Sequence, residues 1–363
     1  MGVIGCGLIG GSIALSLIKS GYQVMVHDLP QSKKAILNQI PGIIFKGDIE
    51  EICRSKPGII FICVPSDEVV EVIDKVARLA DSGTIITDVA GVKQSILEAA
   101  GRIVPDGVVF VGGHPMAGSE KSGVQAAQPF LFQNAVYVLT PLKDYPVNSI
   151  SPLVDVIERL GGRILFMDAS EHDKIAAATS HLPQLIAVEL VNLIGELSDG
   201  NEHFNTLAAG GFRDMTRIAS SDFTVWKDVI GANRENIGTI MRAFIKRLSD
   251  LDSNLMLAAD NKIEKEFESA RYARSRIRRG GKGFLKLLYD LYVVVEDKVG
   301  VLREITSTLA DAGINIKDIE LLKVREGTGG MFRLSFETEQ VLDRSAEILE
   351  GKGFQILRKE FEG

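Results

Sequence analysis

The 363-residue sequence has three cysteines, one tryptophan and no excess of positive charge. The three cysteines, Cys6, Cys53 and Cys63, form neither an even disulfide set nor a metal-ligand pattern, which favours a reducing compartment. Acidic residues outnumber basic ones, 48 to 41, so the chain lacks the electrostatic footprint of a nucleic-acid-binding protein. Its longest apolar runs fall far below a bilayer span, and no export signal opens the sequence. We expect a cytoplasmic protein with no nucleic-acid or membrane partner.

The composition changes along the chain, and the length is typical of two or three domains. Residues 1–145 alternate short β-rich apolar runs with helical patterns, which predicts a doubly wound parallel sheet. Residues 146–265 carry apolar residues at helical spacing, which predicts an all-helical domain. Its segment from Leu182 to Ile194 is so apolar that we expect a large core or a homodimer interface there. The predicted strands of the first domain span residues 3–4, 23–27, 59–64, 84–88, 108–111 and 135–140.

The last part of the chain has a different pattern. Residues 266–288 are polar, basic and rich in glycine, which predicts a linker; a specific anion site is the alternative. Residues 289–363 show a βαββαβ order, with strands at 290–295, 315–323, 331–337 and 354–357 and helices at 301–312 and 341–352. This order predicts a separate ferredoxin-like unit.

Gly5, Gly7 and Gly10 follow a short strand and open a helix predicted for residues 12–20. In this context the glycines allow a tight turn, close approach of a pyrophosphate and helix–strand packing, and the helix N-terminus faces the phosphates. Only Met1 to Ile4 precede the turn, fewer residues than a typical strand, which raises the alternative of an upstream start. Further residues predicted to bind the dinucleotide are Leu8, Ile9, Val64 and Pro65.

Asp28 ends the second predicted strand, roughly twenty residues after the glycines. A carboxylate there accepts hydrogen bonds from the ribose hydroxyls and repels a 2′-phosphate, which favours NAD over NADP. Lys33 and Lys34 lie nearby and favour the opposite choice. We therefore predict an NAD-dependent dehydrogenase with a Rossmann-type domain.

His114 follows the predicted strand 108–111, in the sequence GGHPMAGSE. Ligands of open α/β sheets gather at the carboxyl ends of strands, so this position suits a meeting point of nicotinamide and substrate. A histidine can accept the proton of a hydroxyl as hydride leaves the same carbon. We predict that His114 is the catalytic base; a structural histidine is the alternative.

The helical domain contains two further histidines and one arginine of interest. His172 and His181 have no third ligand at a suitable spacing, so we expect no metal. Arg217 precedes Trp226, the single tryptophan. Arginine is suited to bidentate binding of a carboxylate, and a structural ion pair is the alternative role for Arg217.

Taken together, the segments GCGLIGGS, HPMAGSEKSG, EHDKIAAATSHLPQ and GGFRDMTRIASSDFTVW resemble the prephenate/arogenate dehydrogenase family of tyrosine biosynthesis over nearly all of residues 1–260. The segments EDKVGVL and GINI resemble an ACT domain. The resemblance implies oxidative decarboxylation of prephenate to 4-hydroxyphenylpyruvate, or of arogenate to tyrosine, or of both.

The resemblance also implies roles for individual residues. His114 would receive the proton of the substrate's ring hydroxyl, Arg217 would bind a substrate carboxylate, and Trp226 would line the pocket from across the dimer. The remaining substrate-binding residues that it implies are Ser119, Ser180, His181 and Gln184.

The ACT resemblance implies an amino-acid effector, with L-tyrosine expected first and L-phenylalanine second. The loop from Asp297 to Gly300, which includes Val299, opens a helix whose N–H groups could receive a carboxylate, and Asn315 leads the facing strand. A purely oligomerising module is the alternative.

Two positions depart from the family pattern. Gly91 stands where the family often has a serine that bonds the catalytic histidine, so another donor, water or the cofactor must orient His114. Gln184 stands where many members have histidine, which leaves the choice between prephenate and arogenate open.

Two other classes of protein are disfavoured. A 6-phosphogluconate-dehydrogenase-like enzyme usually has a catalytic Lys and Asn in the helical domain, and no such pair stands near position 181. A metabolite sensor without turnover would not need His114 and Arg217, and both are present.

Overall fold

The computed structural model describes residues 1–29, 37, 40–118, 123–276, 288–296, 298–325 and 329–357. The chain divides into two compact units, Met1–Arg274 and Ser275–Gly363, and the division falls inside the predicted linker. Within the described ranges, no helix is both long enough and apolar enough to cross a membrane.

The first unit is built on an eight-stranded sheet with the order β3-β2-β1-β4-β5-β6-β7-β8. The strands from β3 to β6 in this order are parallel, β7 runs antiparallel to β6, and β8 is parallel to β7. The strand order reverses between β1 and β4, which creates a crevice at their carboxyl ends. The predicted doubly wound fold is confirmed, but the prediction that every strand is parallel was wrong for β7. The strands are β1 (Gly2–Ile4), β2 (Val24–His27), β3 (Ile43–Phe45), β4 (Ile59–Ile62), β5 (Ile85–Asp88), β6 (Val109–Pro115), β7 (Val136–Pro141) and β8 (Arg163–Phe166).

Helices cover both faces of this sheet. Successive residues of a strand point to opposite faces, so Val3 belongs to one buried apolar cluster and Ile4 to the other. Strands that are buried on both sides are apolar at every position, as the fully buried β4 is. The helices associated with the sheet are α1 (Leu8–Lys19), α2 (Ile49–Arg54), α3 (Val69–Leu79), α4 (Gln94–Ile103) and α5 (Val147–Arg159).

The sheet differs from the prediction in three places. β3 and β8 were not predicted, because three or four apolar residues next to turns carry too little periodicity. With β8, the sheet extends past the predicted boundary at residue 145. β6 is longer than predicted, so His114 lies within the strand rather than after it; the antiparallel ladder to β7 continues and pairs His114 with Val138.

The rest of the first unit is helical, as predicted. Its last helix runs through Arg276, so the beginning of the predicted 266–288 linker is helical; Glu, Lys, Ala and Arg in that segment are strong helix formers. Residues 277–287 of the predicted linker lie outside the described residues. The elements are α6 (Ala169–Ala176), a π turn (Ala177–His181), α7 (Leu182–Ser198), α8 (His203–Leu207), α9 (Gly210–Thr216), a 3₁₀ turn (Arg217–Ser220), α10 (Phe223–Ala232), α11 (Arg234–Met256) and α12 (Asp260–Arg276).

The second unit is a four-stranded antiparallel sheet with the order β10-β11-β9-β12. Leu291 and Phe336 of the sheet form one apolar core with Ile305 and Leu349 of its two helices. The predicted ferredoxin-like βαββαβ unit is confirmed. The elements are β9 (Tyr289–Val295), α13 (Val301–Asp311), β10 (Asp318–Arg325), β11 (Gly329–Phe336), α14 (Glu339–Gly351) and β12 (Gln355–Leu357).

A buried ion pair holds the carboxyl end of the first sheet together. The ammonium group of Lys93, just before α4, bonds Asp88 Oδ2 at the end of β5, and both side chains are fully buried. The carboxylate also accepts the N–H groups of Ala90 (2.9 Å) and Gly113 (3.2 Å). The pair therefore connects β5, β6 and the start of α4.

Replacing Lys93 with methionine is expected to lower the free energy of unfolding by about 3–5 kcal/mol, because it leaves a buried carboxylate without its cation. Denaturant titration measures this change. The matched control is Lys75→Met, which removes an exposed pair with Glu71 and is expected to have no measurable effect. Equal unfolding free energies for Lys93→Met and the unmodified chain would contradict this assignment.

Candidate active site

The glycine turn after β1 is shaped by close backbone contacts. Gly5 has a φ of +89°, and a Cβ at this residue would lie 2.5 Å from the carbonyl oxygen of Cys63. A Cβ at Gly10 would lie 1.9 Å from the carbonyl oxygen of Gly5. Gly7, by contrast, has no atom within 4 Å of its Cβ position. The turn therefore combines two positions that exclude any side chain with one open position, which a pyrophosphate can approach closely.

The helix that follows completes this cradle. Helix α1 begins at Leu8, with Ile9 in its first turn, and both residues are half-buried. The N–H groups of a first helical turn have no partner within the helix, so they suit a phosphate. Val64 and Pro65 follow β4 at the same edge, and the Cβ position of Gly5 lies 3.0 Å from the backbone nitrogen of Val64.

Asp28 lies directly after β2 and is buried. Its Oδ2 accepts the N–H of Cys6 at 2.8 Å, which holds the carboxylate beside the glycine turn. This location, at the carboxyl edge next to the reversal of strand order, fits the ribose of a dinucleotide. Lys33 and Lys34, the two residues predicted to oppose this choice, lie outside the described residues.

A row of three polar side chains lies across the carboxyl edge of the sheet. Nδ1 of His114 is 2.8 Å from Nε2 of His172, and Nδ1 of His172 is 2.8 Å from Oδ1 of Asp173. The Asp173 carboxylate also accepts the backbone N–H groups of Lys93 (2.8 Å) and Gln94 (3.0 Å). The row joins β6 to α6 of the helical part and to the start of α4.

Burial has the largest effect on the protonation of these groups. It lowers the pKa of His114 well below the usual 6.5; the nearby charge of Lys93 lowers it further, as does a charge on His172 or His181 when either is protonated. Burial alone would raise the pKa of Asp173, but hydrogen bonds from His172 and from the N–H groups of Gln94 and Lys93 outweigh it and lower that pKa. At neutral pH the site therefore contains an uncharged imidazole, which can accept a proton, and an ionised carboxylate.

Gly91 leaves space beside the other edge of the His114 ring. A Cβ at Gly91 would lie 3.9 Å from both Nε2 and Cε1 of His114 and 3.7 Å from Val229, which are ordinary contact distances. A side chain at position 91 would therefore lie against the Nε2 and Cε1 edge of the ring. In this chain Gly91 places no side chain there.

His181 occupies a second buried position near the row. Its Nδ1 is 3.2 Å from Nδ2 of Asn233, which also donates to the carbonyl oxygen of Asp173 at 2.7 Å. The Trp226 ring meets the His181 ring edge-on at 5.9 Å within the same chain. Burial lowers the pKa of His181 to about 4, against the opposing charge of Asp173. His181 is therefore uncharged at neutral pH.

The remaining predicted substrate residues lie on neighbouring turns of the helical part. Ser180 is half-buried in the π turn, an element that is frequent at functional sites. Gln184 is buried and donates from Nε2 to the carbonyl oxygen of Ile218 at 3.0 Å, which ties α7 to the 3₁₀ turn that begins with Arg217. Ser119 lies outside the described residues.

Sequence reasoning missed the residues that bind these histidines. Asp173 stands next to His172 in the sequence, yet nothing in the spacing shows that it receives the N–H groups of Lys93 and Gln94, which lie about eighty residues earlier. Asn233, 60 residues after Asp173, looks like an ordinary residue before a helix. The signal in both cases is a long-range contact, which a local pattern does not contain.

The predicted effector residues lie in the second unit. Gly300, with a φ of +92°, is the N-cap of α13, and Val299 before it is fully exposed. Asn315 lines a cavity of about 390 Å³ together with Lys317, Glu337 and Arg344. Asp297 lies outside the described residues.

A dinucleotide cradle, a half-buried neutral histidine on β6 of the same sheet and a helical second part define an oxidoreductase of the Rossmann-type dehydrogenases. Residues 13–166 match the nucleotide-binding domain of prephenate dehydrogenase, residues 168–269 match its dimerization domain, and residues 289–351 match an ACT domain. The chain belongs to the prephenate dehydrogenase family and is an NAD-dependent oxidoreductase.

Known relatives resemble the chain over most of its length. The prephenate dehydrogenase of Bacillus subtilis (strain 168) is 31% identical over 351 residues, which cover 96% of this chain and 95% of the relative. That of Lactococcus lactis subsp. cremoris (strain MG1363) is 34% identical over 352 residues, 96% of each chain. The crystal structure of prephenate dehydrogenase from A. aeolicus with hydroxyphenyl propionate and NAD+ has a TM-score of 0.71 at 28% identity and covers 76% of this chain and 97% of that one.

Two alanine substitutions are expected to separate the structural from the binding role of the glycine turn. Gly10→Ala forces a Cβ into a backbone carbonyl and is expected to lower the melting temperature strongly. Gly7→Ala meets no atom and is expected to leave the fold intact, apart from a small capping cost, while it weakens NAD binding by obstructing the pyrophosphate. Thermal melting and NADH fluorescence titration measure the two effects. Normal NAD affinity in Gly7→Ala would show that the dinucleotide does not approach this residue.

Proposed function

We propose that the chain catalyses the NAD-dependent oxidative decarboxylation of prephenate to 4-hydroxyphenylpyruvate, with His114 as the base. The observation that carries this proposal is the half-buried His114 at the carboxyl edge of the sheet that also carries the glycine turn, where a lowered pKa keeps its imidazole neutral. Gly91 places no side chain beside the Nε2 and Cε1 edge of this ring, which suits a substrate hydroxyl there. Asp28 favours NAD because a carboxylate there repels a 2′-phosphate.

The proposed reaction needs little more than orientation and one base. Bound NAD supplies the acceptor for the hydride of the ring carbon. Nε2 of His114 takes the proton of the hydroxyl on that carbon. The carbon–carboxylate bond at the opposite ring position breaks, carbon dioxide leaves, and its electron pair makes the ring aromatic. His114 then returns the proton to the phenolate oxygen, so the base is regenerated.

Arg217 is the proposed partner of a substrate carboxylate, and Ser180, His181 and Trp226 are proposed to line the same pocket. The bond from Gln184 to Ile218 supports this arrangement, because it fixes the turn that carries Arg217. Many members of the family have histidine at the position of Gln184, and this difference leaves the choice of substrate open. Arogenate is therefore the second candidate substrate. Steady-state rates with prephenate and with arogenate decide between the two.

Replacing His114 with asparagine is expected to lower kcat by about 100- to 10,000-fold, because the base for the hydroxyl proton is lost, while NAD affinity stays normal. Steady-state kinetics and NADH titration measure both quantities. The contrasting variant is Arg217→Ala, which is expected to raise KM and to cost about 1.5–3 kcal/mol of substrate binding. Full turnover in His114→Asn would rule out the role of His114 as the base.

The pH dependence of the unmodified enzyme gives a separate prediction. The lowered pKa of His114 keeps the base unprotonated, so kcat/KM is expected to persist below pH 6.5.

We propose that the enzyme works in the cytoplasm, because Cys6, Cys53 and Cys63 are present as thiols.

We also propose a homodimer that forms through the helical part. Apolar side chains of α7, α10 and α11, including Leu193 and Phe223, are exposed in the single chain, which supports this interface.

The ACT unit is proposed to bind an amino acid, with L-tyrosine as the effector. In the cavity beside Asn315, Lys317 pairs with Glu337 at 3.1 Å and Arg344 adds a second cation, so the lining has groups that suit the carboxylate and ammonium groups of an amino acid. The exposed N-terminus of α13 at Val299 and Gly300 provides further N–H donors.

Truncation after Arg276 is expected to leave an active enzyme that has lost its response to tyrosine, because the first unit is compact by itself. In the full chain, tyrosine is expected to change the apparent substrate affinity by about fivefold to 150-fold. Initial rates at several tyrosine concentrations, with both forms, measure this difference. If the truncated enzyme were inhibited equally, tyrosine would compete at the Arg217 site, and the ACT unit would be an assembly module.

A further inference from the structure

We infer that His172 and Asp173 act as a positioning pair, which orients the His114 ring and directs its lone pair to Nε2. The inference rests on the proposed role of His114 as the base. It concerns the orientation of the His114 ring, to which Gly91 contributes no side chain.

The hydrogen-bond partners of the row determine where its protons lie. Asp173 accepts two backbone N–H groups and is ionised, so it has no proton to donate, and Nδ1 of His172 must donate to it. In the neutral form of His172, Nε2 then carries the lone pair and accepts a hydrogen bond. Nδ1 of His114 is therefore the donor across the 2.8 Å contact, and its Nε2 is left as the proton acceptor.

The pair is suited to positioning because its own members are held firmly. His172 and Asp173 are 3% and 2% exposed, so water cannot compete for their hydrogen bonds. Asn233 donates to the carbonyl oxygen of Asp173 at 2.7 Å. The carboxylate is bound to the backbone of Lys93, whose side chain is paired with Asp88.

These contacts form a closed circuit through the site. Asp88 accepts the N–H of Gly113, the residue before His114, and pairs with Lys93. Lys93 donates its backbone N–H to Asp173, which binds His172, which contacts His114. We therefore expect the His114 ring to move when any side chain of this circuit is displaced.

The surroundings of His114 also require a counter-charge during turnover. When Nε2 takes the substrate proton, the ring becomes an imidazolium in a buried site that contains the ammonium group of Lys93. Its Nδ1–H remains bonded to His172, which connects it to the negative charge of Asp173. The pair therefore stabilises the protonated base as well as orienting the neutral one.

Asp173→Asn tests this arrangement with a nearly unchanged shape. Oδ1 of Asp173 accepts both the bond from Nδ1 of His172 and the backbone N–H of Lys93. With an NH₂ group at this position, the Lys93 N–H loses its acceptor and the amide donates to Nδ1 of His172, which moves the proton of His172 to Nε2 and reverses the tautomer of His114. We expect kcat to fall at least about 100-fold, with little change in the KM for substrate. The variant therefore keeps the size of the side chain and changes its hydrogen-bond pattern.

A spectroscopic measurement reports the tautomers directly. With ¹⁵N-labelled histidine, the five histidines give few enough signals for assignment by single substitutions. We expect the Nδ1–H tautomer of His114 in the full-length enzyme and the Nε2–H tautomer in Asp173→Asn. His203→Asn, which removes an exposed histidine, provides an assignment control that leaves the other signals unchanged.

Asp168→Ala is the matched structural control. Asp168 caps the same helix, α6, by accepting the N–H groups of Ser170 and Glu171. Its removal is expected to lower the melting temperature without changing the tautomer of His114 or kcat. A kcat loss in Asp168→Ala as large as that in Asp173→Asn would show that the site responds to loosening of α6 alone, which would overturn the inference.

The outcomes distinguish a failure of the positioning role of His172 and Asp173 from a failure of the proposed role of His114 as the base. If Asp173→Asn keeps normal kcat and the normal tautomer while His114→Asn is inactive, the pair has no positioning role and His114 is still the base. If His114→Asn is fully active, the proposed function itself fails. If Asp173→Asn does not fold, His172→Gln serves in its place, since it keeps Asp173 and its backbone contacts; normal kcat in that variant would also overturn the inference.

Discussion

The buried ion pair between Lys93 and Asp88 is the constraint on which the candidate active site depends. Two charges that are fully removed from water need near-complete satisfaction, and Asp88 meets this need with the N–H groups of Ala90 and Gly113 as well as the ammonium group. Ala90 follows β5, whereas Gly113 lies within β6. The requirement to satisfy one carboxylate therefore fixes the backbone before His114 and the backbone around Gly91 together.

Glycines contribute to the same edge of the sheet by their lack of a side chain. A Cβ at Gly113 would lie 2.5 Å from the carbonyl oxygen of Asp88, and one at Gly112 would lie 3.3 Å from Cδ of Lys93. Close packing around the ion pair and close packing in the dinucleotide turn thus have the same steric origin. A Cβ at Gly7 would meet no atom and one at Gly91 would make only ordinary contacts, and these two positions lie beside the proposed ligands.

The helical part supplies the hydrogen-bond partner of the His114 ring. The sheet positions the His114 backbone, but the partner of its ring, His172, is on α6, and Asp173 returns from α6 to the sheet. The base is therefore assembled only when the helical part packs against the carboxyl edge. The ACT unit has its own core, as expected for a module that acts through regulation or association.

The sequence by itself determined the features that depend on neighbouring residues. The glycine spacing and Asp28 indicated the dinucleotide site, the periodicity indicated the three kinds of domain, and the residues around His114 and Arg217 indicated the family. Only the tertiary structure decided that β8 joins the sheet, that His114 lies inside a strand, and that His172 and Asp173 form a row with the His114 ring. Local geometry repeats with a short period and is visible in the sequence, whereas the contact between His114 and His172 joins residues 58 positions apart and exists only after the chain has packed.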